Sequence, residues 1–410
     1  MLTDRGRAVL AFGGVAYLTA WAFGSTVLYP TAVGLVLAVA GAAIWVRLLK
    51  RPMRLRRSLG PAQHVAGDDV RVQLELDVQG RFTAGTIVVT ERFARLGERE
   101  TPLGRRHGGL RGAYVLERVP RGRYPIESAE VVVEDPFGLE RSGVELPAGE
   151  ALLVYPDLVE LDRLFSESGT HAQEGRRLLL RRPSGFDLHS VREYEPGESL
   201  RRVHWPLTAK RGELMVKDLE DAPRDEAAIL LDADATVVIG DAPDSTFELQ
   251  VRAAGSILRA HASRGKRASL IVNGRARLYQ QVHSFDGDWS AALELLAAVE
   301  PDGDIPASTV LADEAGPAAR ALELTVVTSV LSPRLVERLI QRTLARHLAV
   351  LVYVDPASFG EQGEWGTRLS NESATQLIRL ERIGVPVAVL RRGDDLLQKL
   401  SGETMGVAVG

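Results

Sequence analysis

At 410 residues the chain is longer than one ordinary domain, since domains usually run to roughly 100–200 residues and single cores stop growing beyond that. Its hydrophobic fraction of 45% and charged fraction of 25% are those of a globular protein, and a formal net charge of −4 excludes a polyanion-binding surface spread over the whole molecule. There is no cysteine, which excludes disulfides, Cys-based zinc sites and thiol catalysis.

The first element is apolar. From Ala8 to Val46 there is no Lys, Arg, Asp, Glu or His, a run about twice the roughly 20 residues that one membrane-spanning helix needs. Gly24, Ser25 and Thr26, with Tyr29 and Pro30, mark a break between two spans. Arg5 and Arg7 flank the entry, and Arg47, Lys50, Arg51, Arg54, Arg56 and Arg57 flank the exit, which places both ends on the cytoplasmic side. A secretory signal peptide is the alternative for the first span, but no polar, small-residue cleavage region precedes the second apolar run. Residues 1–50 are therefore expected to form a transmembrane helical hairpin. The protein is then multi-pass in the cell membrane, with both termini and the soluble domains cytoplasmic.

Residues 51–160 change to short alternating runs, among them Val70 to Leu76 and Thr86 to Val89, separated by Gly, Pro and Asp. Tyr114 to Leu116, Tyr124 to Ile126 and Val131 to Val133 continue the pattern, which predicts an immunoglobulin-like β-sandwich. His107, Gly108 and Gly109 fall in a Gly- and Arg-rich loop. Residues 161–225 read as a basic connector, polar and exposed from Ser166 to Arg182. From 226 to 410, strand-like runs alternate with helical periods. Ala228 to Leu231, Ala268 to Val272, Leu324 to Val327, Ala349 to Val354 and Val385 to Leu390 read as strands. Phe247 to His261, Trp289 to Val299, Ser332 to Ala345 and Glu372 to Ile383 read as helices. Such alternation specifies a mainly parallel sheet covered on both faces.

Open parallel sheets bind ligands beyond the carboxyl ends of their strands. The first such end reads Leu231, Asp232, Ala233, Asp234, Ala235, Thr236, which resembles the metal-ion-dependent adhesion site of von Willebrand factor A domains, with its Asp-x-Ser-x-Ser order. Asp232, Asp234 and Thr236 offer two carboxylates and a hydroxyl, acceptable to a hard cation such as Mg2+. The later strand, which ends in Asp in that family, here ends in Val327, Thr328, Ser329 and Val330 and offers only hydroxyls. The alternative is a metal-free sheet end whose polar residues cap turns and a helix start.

The most distinctive segment runs from Ser184 through Arg192, Glu193, Tyr194, Pro196, Gly197, Arg201, Arg202 and Trp205 to Thr208, Ala209, Lys210 and on to Lys217. It resembles the signature of the domain of unknown function 58 (DUF58) family. Arg121 to Tyr124 and Asp135 to Leu139 match further features of that family, and Glu198, Pro206, Leu207 and Lys210 depart from its usual pattern. The resemblance implies a scaffold or adaptor that works beside a MoxR-type AAA+ ATPase in assembly or envelope-related processes, with a transglutaminase-like membrane protein as a further partner. Read physically, the segment is rich in Arg interleaved with Glu, which suits a structural ion-pair network or a protein-binding surface, with Pro196 and Gly197 fixing a turn.

No P-loop, His-Glu-x-x-His, or Gly-x-Ser-x-Gly motif is present, and His189 and His204 beside Glu193, Glu195 and Glu198 do not make a catalytic set by proximity alone. The expectation is a binding protein and not an enzyme, with no resident cofactor and no nucleic-acid partner. Two other readings stand beside it: a metal-dependent hydrolase using Asp232, Asp234 and Thr236, and a polyanion- or lipid-binding module using the Arg-rich connector.

Overall fold

The computed structural model describes residues 1–48, 53–60, 63–78, 85–106, 109–147, 149–167, 188–193, 203, 205–219, 227–314, 316–360 and 364–402. The chain divides into two compact units, Met1–Tyr155 and Pro156–Gly410.

The first unit opens with helices α1 (Asp4–Phe23) and α2 (Leu28–Leu48). Thr3 caps α1 by accepting from the Gly6 amide, and Gly24, at φ 65°, ends it in the left-handed conformation open to glycine. Both helices are long and apolar enough to cross a membrane. They meet through small residues, with Ala20 and Ala32 buried between them, and Tyr17 meets Tyr29 edge to face at 5.4 Å. Their remaining surfaces expose Phe12, Trp21, Phe23 and Leu37, an apolar periphery.

Nine strands follow: β1 (Met53–Ser58), β2 (His64–Val65), β3 (Val70–Val78), β4 (Thr86–Phe93), β5 (Gly97–Arg106), β6 (Gly109–Leu116), β7 (Gly122–Glu134), β8 (Arg141–Leu146) and β9 (Ala151–Tyr155). They pair in the order β1-β3-β6-β5-β4-β7-β9-β2, with β8 on β7. The sheet is mixed, because β2 and β9 run parallel while the other pairs are antiparallel. Where an immunoglobulin-like sandwich would hold two separate sheets, hydrogen bonding here is continuous. β5 supplies the passage, pairing with β4 up to Leu103 and with β6 from Gly104. Period-2 alternation turns Val70, Val72, Leu74 and Leu76 into one core with Ile87, Val89, Phe93, Val131 and Val133. Each such side chain contributes about 1.5–3 kcal/mol by leaving water.

In the second unit, the stretch expected as a connector carries regular structure. β10 (Leu188–Glu193) pairs antiparallel with β11 (Met215–Leu219), and α3 (Trp205–Arg211) lies between them in sequence. A six-stranded sheet follows, built from β12 (Ala227–Leu231), β13 (Ala268–Val272), β14 (Tyr279–Val282), β15 (Glu323–Thr328), β16 (Leu348–Val354) and β17 (Val387–Leu390). Its order is β14-β13-β12-β15-β16-β17, with β14 antiparallel to β13 and the remaining pairs parallel. The longer helices are α4 (Thr246–Ser263), α5 (Trp289–Ala298), α6 (Pro333–Leu344), α7 (Glu364–Ile383) and α8 (Leu396–Ser401). β12 is buried along its whole length because its two faces enter different cores. Ile229 and Leu231 pack with Phe247, Val251 and Ile257 of α4, while Ala228 and Leu230 pack with Leu335, Val336 and Leu339 of α6. Three details differ from the sequence reading: β14 is an antiparallel edge, α7 starts at Glu364 and not at Glu372, and the last strand starts at Val387 and not at Val385.

Candidate functional site at the carboxyl ends of the second sheet

Counted from β12, the strand order of this sheet is third, second, first, fourth, fifth, sixth, so the chain winds outward in both directions from the β12–β15 pair. This topological switch point is where open α/β sheets place their ligands. Asp232 follows β12 directly and Thr328 ends β15, so the two side chains face each other across it.

They are joined. The Thr328 hydroxyl donates to Asp232 Oδ2 at 2.7 Å, and the Asn273 amide, just beyond β13, donates to Asp232 Oδ1 at 3.1 Å. Backbone ties hold the frame: the Asp232 amide donates to the Val327 carbonyl and the Asn273 amide to the Leu231 carbonyl. Gly303 closes the site from the side, exchanging backbone hydrogen bonds with Ala233 and Ala235. A Cβ at Gly303 would collide with the Asn273 carbonyl oxygen, so this approach requires glycine. Asp232 is only 5% exposed. Burial raises its pKa above 3.8, opposed by the hydrogen bonds from Thr328 and Asn273 and reinforced by the nearby charge of Asp234. Deeper in, Gln250 of α4 donates to the Ser329 hydroxyl at 3.1 Å.

Asp234 and Thr236 are engaged with each other. Asp234 Oδ1 accepts from the Thr236 amide at 2.9 Å and from its hydroxyl at 2.7 Å, which caps the single 3-10 turn Ala235–Val237. Among the described residues no group of three or more His, Cys, Asp and Glu side chains is placed to hold a metal ion. Asp232, Thr328 and Asn273 form a hydrogen-bonded crib around one carboxylate. Sequence reasoning missed Asn273 and Gln250. Asn273 was findable, as the first polar residue after a strand in a sheet whose carboxyl ends are the natural place to look. Gln250 was not, lying in the middle of an amphipathic helix.

The distinctive segment is described in part. Arg192 and Glu193 lie on β10, opposite Val216 and Met215 in register. Tyr194, Pro196, Gly197, Arg201 and Arg202 lie outside the described residues, as do His107 and His204. Trp205 opens α3 and is 63% exposed, although its surroundings are well fixed. Val203 and Met215 are buried, and the Thr208 hydroxyl accepts from the Met215 amide at 3.0 Å. Pro206 suits the first helical turn, where no amide donor is needed, and Gly212, at φ 76°, ends the helix.

The polar groups of Arg121 to Tyr124 and Asp135 to Leu139 are engaged inside the first unit. The Tyr124 hydroxyl donates to the Pro120 carbonyl at 2.8 Å, its ring covers Gly122, where a Cβ would meet it at 2.9 Å, and the Arg95 guanidinium sits 5.2 Å from the ring centroid. The buried Asp135 carboxylate accepts from the amides of Phe137, Leu139 and Glu140 at 2.6–2.9 Å.

A doubly wound unit with a polar crib at its switch point, preceded by a small antiparallel pair carrying an exposed tryptophan, defines the class of domain. Residues 190–361 match the family described as Protein of unknown function DUF58, so the chain carries a domain of that family. The Uncharacterized protein YeaD of Bacillus subtilis (strain 168) is 27% identical over 227 residues, 54% of this chain and 54% of that protein, so this chain spans about half the length of that curated relative. Among solved structures, a lipoprotein from Bacteroides thetaiotaomicron is 14% identical over 24% of this chain and 82% of its own, at a TM-score of 0.13. Cwp6 from Clostridium difficile is 11% identical over 83% of this chain and 37% of its own, at a TM-score of 0.17. At those TM-scores the likenesses carry no argument.

Proposed function

We propose that the protein is a membrane-anchored cytoplasmic scaffold whose second unit is a von Willebrand A-like recognition domain, and that it docks a MoxR-type AAA+ ATPase, with a transglutaminase-like membrane protein as a further partner in assembly or envelope-related work. α1 and α2 form the anchor, and the positive flanks Arg5, Arg7 and Arg47 favour a cytoplasmic location for both units. The strand order around β12 and the single antiparallel edge support the von Willebrand A-like reading.

The observation that carries the proposal is Trp205. A large aromatic side chain left 63% exposed is a common form of interface anchor, since tryptophan and arginine dominate the energetics of protein contacts. Lys210 and Arg211, both exposed on the same short helix, would supply the polar rim.

The test is a titration of the full chain in lipid nanodiscs with the purified AAA+ ATPase of the same host. Wild type is expected to bind. Trp205→Ala is expected to lose about 2 kcal/mol, roughly a thirtyfold weaker Kd. Equal affinity of the two proteins would remove Trp205 from the interface, and no binding by wild type would remove the ATPase as the partner.

A further inference from the structure

The turn Asp135–Leu139 points to a membrane contact beyond the helical hairpin. We propose that Phe137 inserts into the headgroup–acyl boundary of the bilayer that holds α1 and α2, so that the β-sheet unit lies fixed on the membrane surface and does not swing from a tether. This rests on the reading of α1 and α2 as membrane spans.

Phe137 does no work inside the fold. The turn is shaped by Asp135, whose buried carboxylate accepts three backbone amides, and by Gly138, whose φ of 69° admits glycine freely. The phenyl ring is left 78% exposed at the tip. A turn that needs only Asp and Gly for its conformation has no structural use for a large aromatic pointing outward.

The same turn is fastened to the base of the hairpin. The Thr3 hydroxyl donates to the Gly138 carbonyl at 2.6 Å and the Thr3 amide to the Leu139 carbonyl at 3.1 Å, while the Arg141 amide donates to the Met1 carbonyl. The approach is so close that a Cβ at Gly6 would collide with the Leu139 carbonyl oxygen.

Depth follows from Leu139. Its side chain packs with Val39 and Ala42 of α2 and with Leu2 and Val9 at the start of α1. The first charge after the apolar run is Arg47, and at 1.5 Å per residue Ala42 and Val39 lie about 7–12 Å below it along the helix. Interfacial apolar groups sit about 5–10 Å into the headgroup–acyl boundary. Phe137, two residues from Leu139 and beside the charged start of α1, where the Met1 amino group pairs with Glu140, is therefore level with the headgroup–acyl boundary.

Because the chain has no cysteine, single-cysteine variants give unambiguous labels. The full chain carrying Phe137→Cys, Phe12→Cys or Glu98→Cys is spin-labelled and reconstituted in phosphatidylcholine–phosphatidylglycerol vesicles. Relaxation by oxygen, which concentrates in lipid, is then compared with relaxation by a water-soluble nickel chelate. Phe12 lies on the exposed surface of α1 and Glu98 on the exposed strand β5. The expected result is that the label at 137 follows the one at 12, oxygen-accessible and shielded from nickel, while the label at 98 shows the reverse. If the label at 137 behaves like that at 98 while 12 remains in lipid, the insertion proposal is overturned and the anchor stands. If the label at 12 is also open to nickel, the spanning reading fails and takes the proposal with it.

Discussion

Replacing Asp232 by asparagine separates the charge of the crib from its shape. In the wild type the two carboxylate oxygens each accept one hydrogen bond, from Thr328 at 2.7 Å and from Asn273 at 3.1 Å. The substituted side chain would keep one acceptor and turn an amide donor toward the other partner, stranding one buried donor at a cost of about 1–3 kcal/mol. Both partners already have a second acceptor, Thr328 the Val330 carbonyl at 3.2 Å and Asn273 the Ile305 carbonyl, so the loss at neutral pH falls near the low end, about 1–2 kcal/mol. The pH dependence carries the sharper test. Burial raises the Asp232 pKa above 3.8, so the native state holds the proton more tightly than the unfolded state does. Stability is then fully present below the unfolded value and is lost as pH rises from about 4 through the raised native pKa, with a slope of at most about 1.4 kcal/mol per pH unit. The Asp232→Asn variant has no such proton. The gap between wild type and variant is therefore expected to narrow as pH rises from about 4, and to be constant once Asp232 has ionised in the native state. Glu323, also raised by burial, titrates in both proteins and cancels in the difference. Urea denaturation of the full chain in detergent, followed by hydrogen exchange in the peptide covering β12, reads the local stability. Parallel pH profiles for the two proteins would refute the account of a buried, proton-retaining carboxylate at the switch point.

Two further outcomes follow from buried polar groups. In the first unit Arg57 is paired with Glu91 with both side chains almost wholly buried, and the Tyr114 hydroxyl, whose pKa is pushed up by burial and by Glu91, donates to the other Glu91 oxygen at 2.7 Å. Arg57→Met is expected to cost about 3–5 kcal/mol in thermal melts, because it leaves a buried carboxylate with one donor, and the Arg57→Met, Glu91→Leu double variant should recover most of that; equal loss in both would refute the pairing argument. In the second unit His261 is fully buried, and burial, with Lys266 and Arg264 beside it, pushes its pKa down to about 3. The unfolded state takes up the proton first, so this residue's contribution to stability is lost as pH falls from about 6.5 toward 3, and His261→Leu should flatten the acid limb of the stability profile.

How much of the fold and the site was legible in the sequence depended on whether a signal was local. The two helices of the hairpin were legible because a long charge-free run broken by Gly24 and Pro30 has room for two apolar helices. β3 was legible because Val70, Val72, Leu74 and Leu76 alternate with polar residues along one buried face. α4 and α6 could be placed within a few residues, since they carry apolar residues at helical spacing, whereas α7 begins eight residues before its expected start. β5 was not legible: Gly97–Arg106 holds mostly charged and polar residues, and it is a strand because it bridges β4 and β6. β14 is four residues with two glutamines at a sheet edge, where no buried face imposes a pattern. α3 has seven residues, too few to show a period. The carboxyl-end site was half legible. Asp232 and the hydroxyls at the end of β15 could be read from strand ends, whereas the pairing of Asp234 with Thr236 is a matter of side-chain direction that spacing does not encode.

The distinctive stretches of the sequence divide by where their polar atoms are spent. In Arg121 to Tyr124 the tyrosine hydroxyl is used on the Pro120 carbonyl and the glycine exists to admit the ring. In Asp135 to Leu139 the carboxylate is used on three amides of its own turn. Groups satisfied within the fold have little left to offer a partner, because exchanging an internal hydrogen bond for an external one gains almost nothing. What these motifs leave over is the side chain each frame carries outward, Phe137 in the first unit and, on the small antiparallel pair of the second, Trp205. Both are large aromatics held by satisfied backbones, and both give up solvent-exposed apolar surface when they bind. They differ in what lies beside them. Phe137 lies on a turn fastened to the start of α1, whereas Trp205 shares α3 with Lys210 and Arg211, a charged setting suited to an aqueous protein interface. Under the two proposals lipid contact falls to the first unit and partner recognition to the second, so Phe137→Ser should leave ATPase affinity unchanged while Trp205→Ala leaves the depth of the hairpin label unchanged.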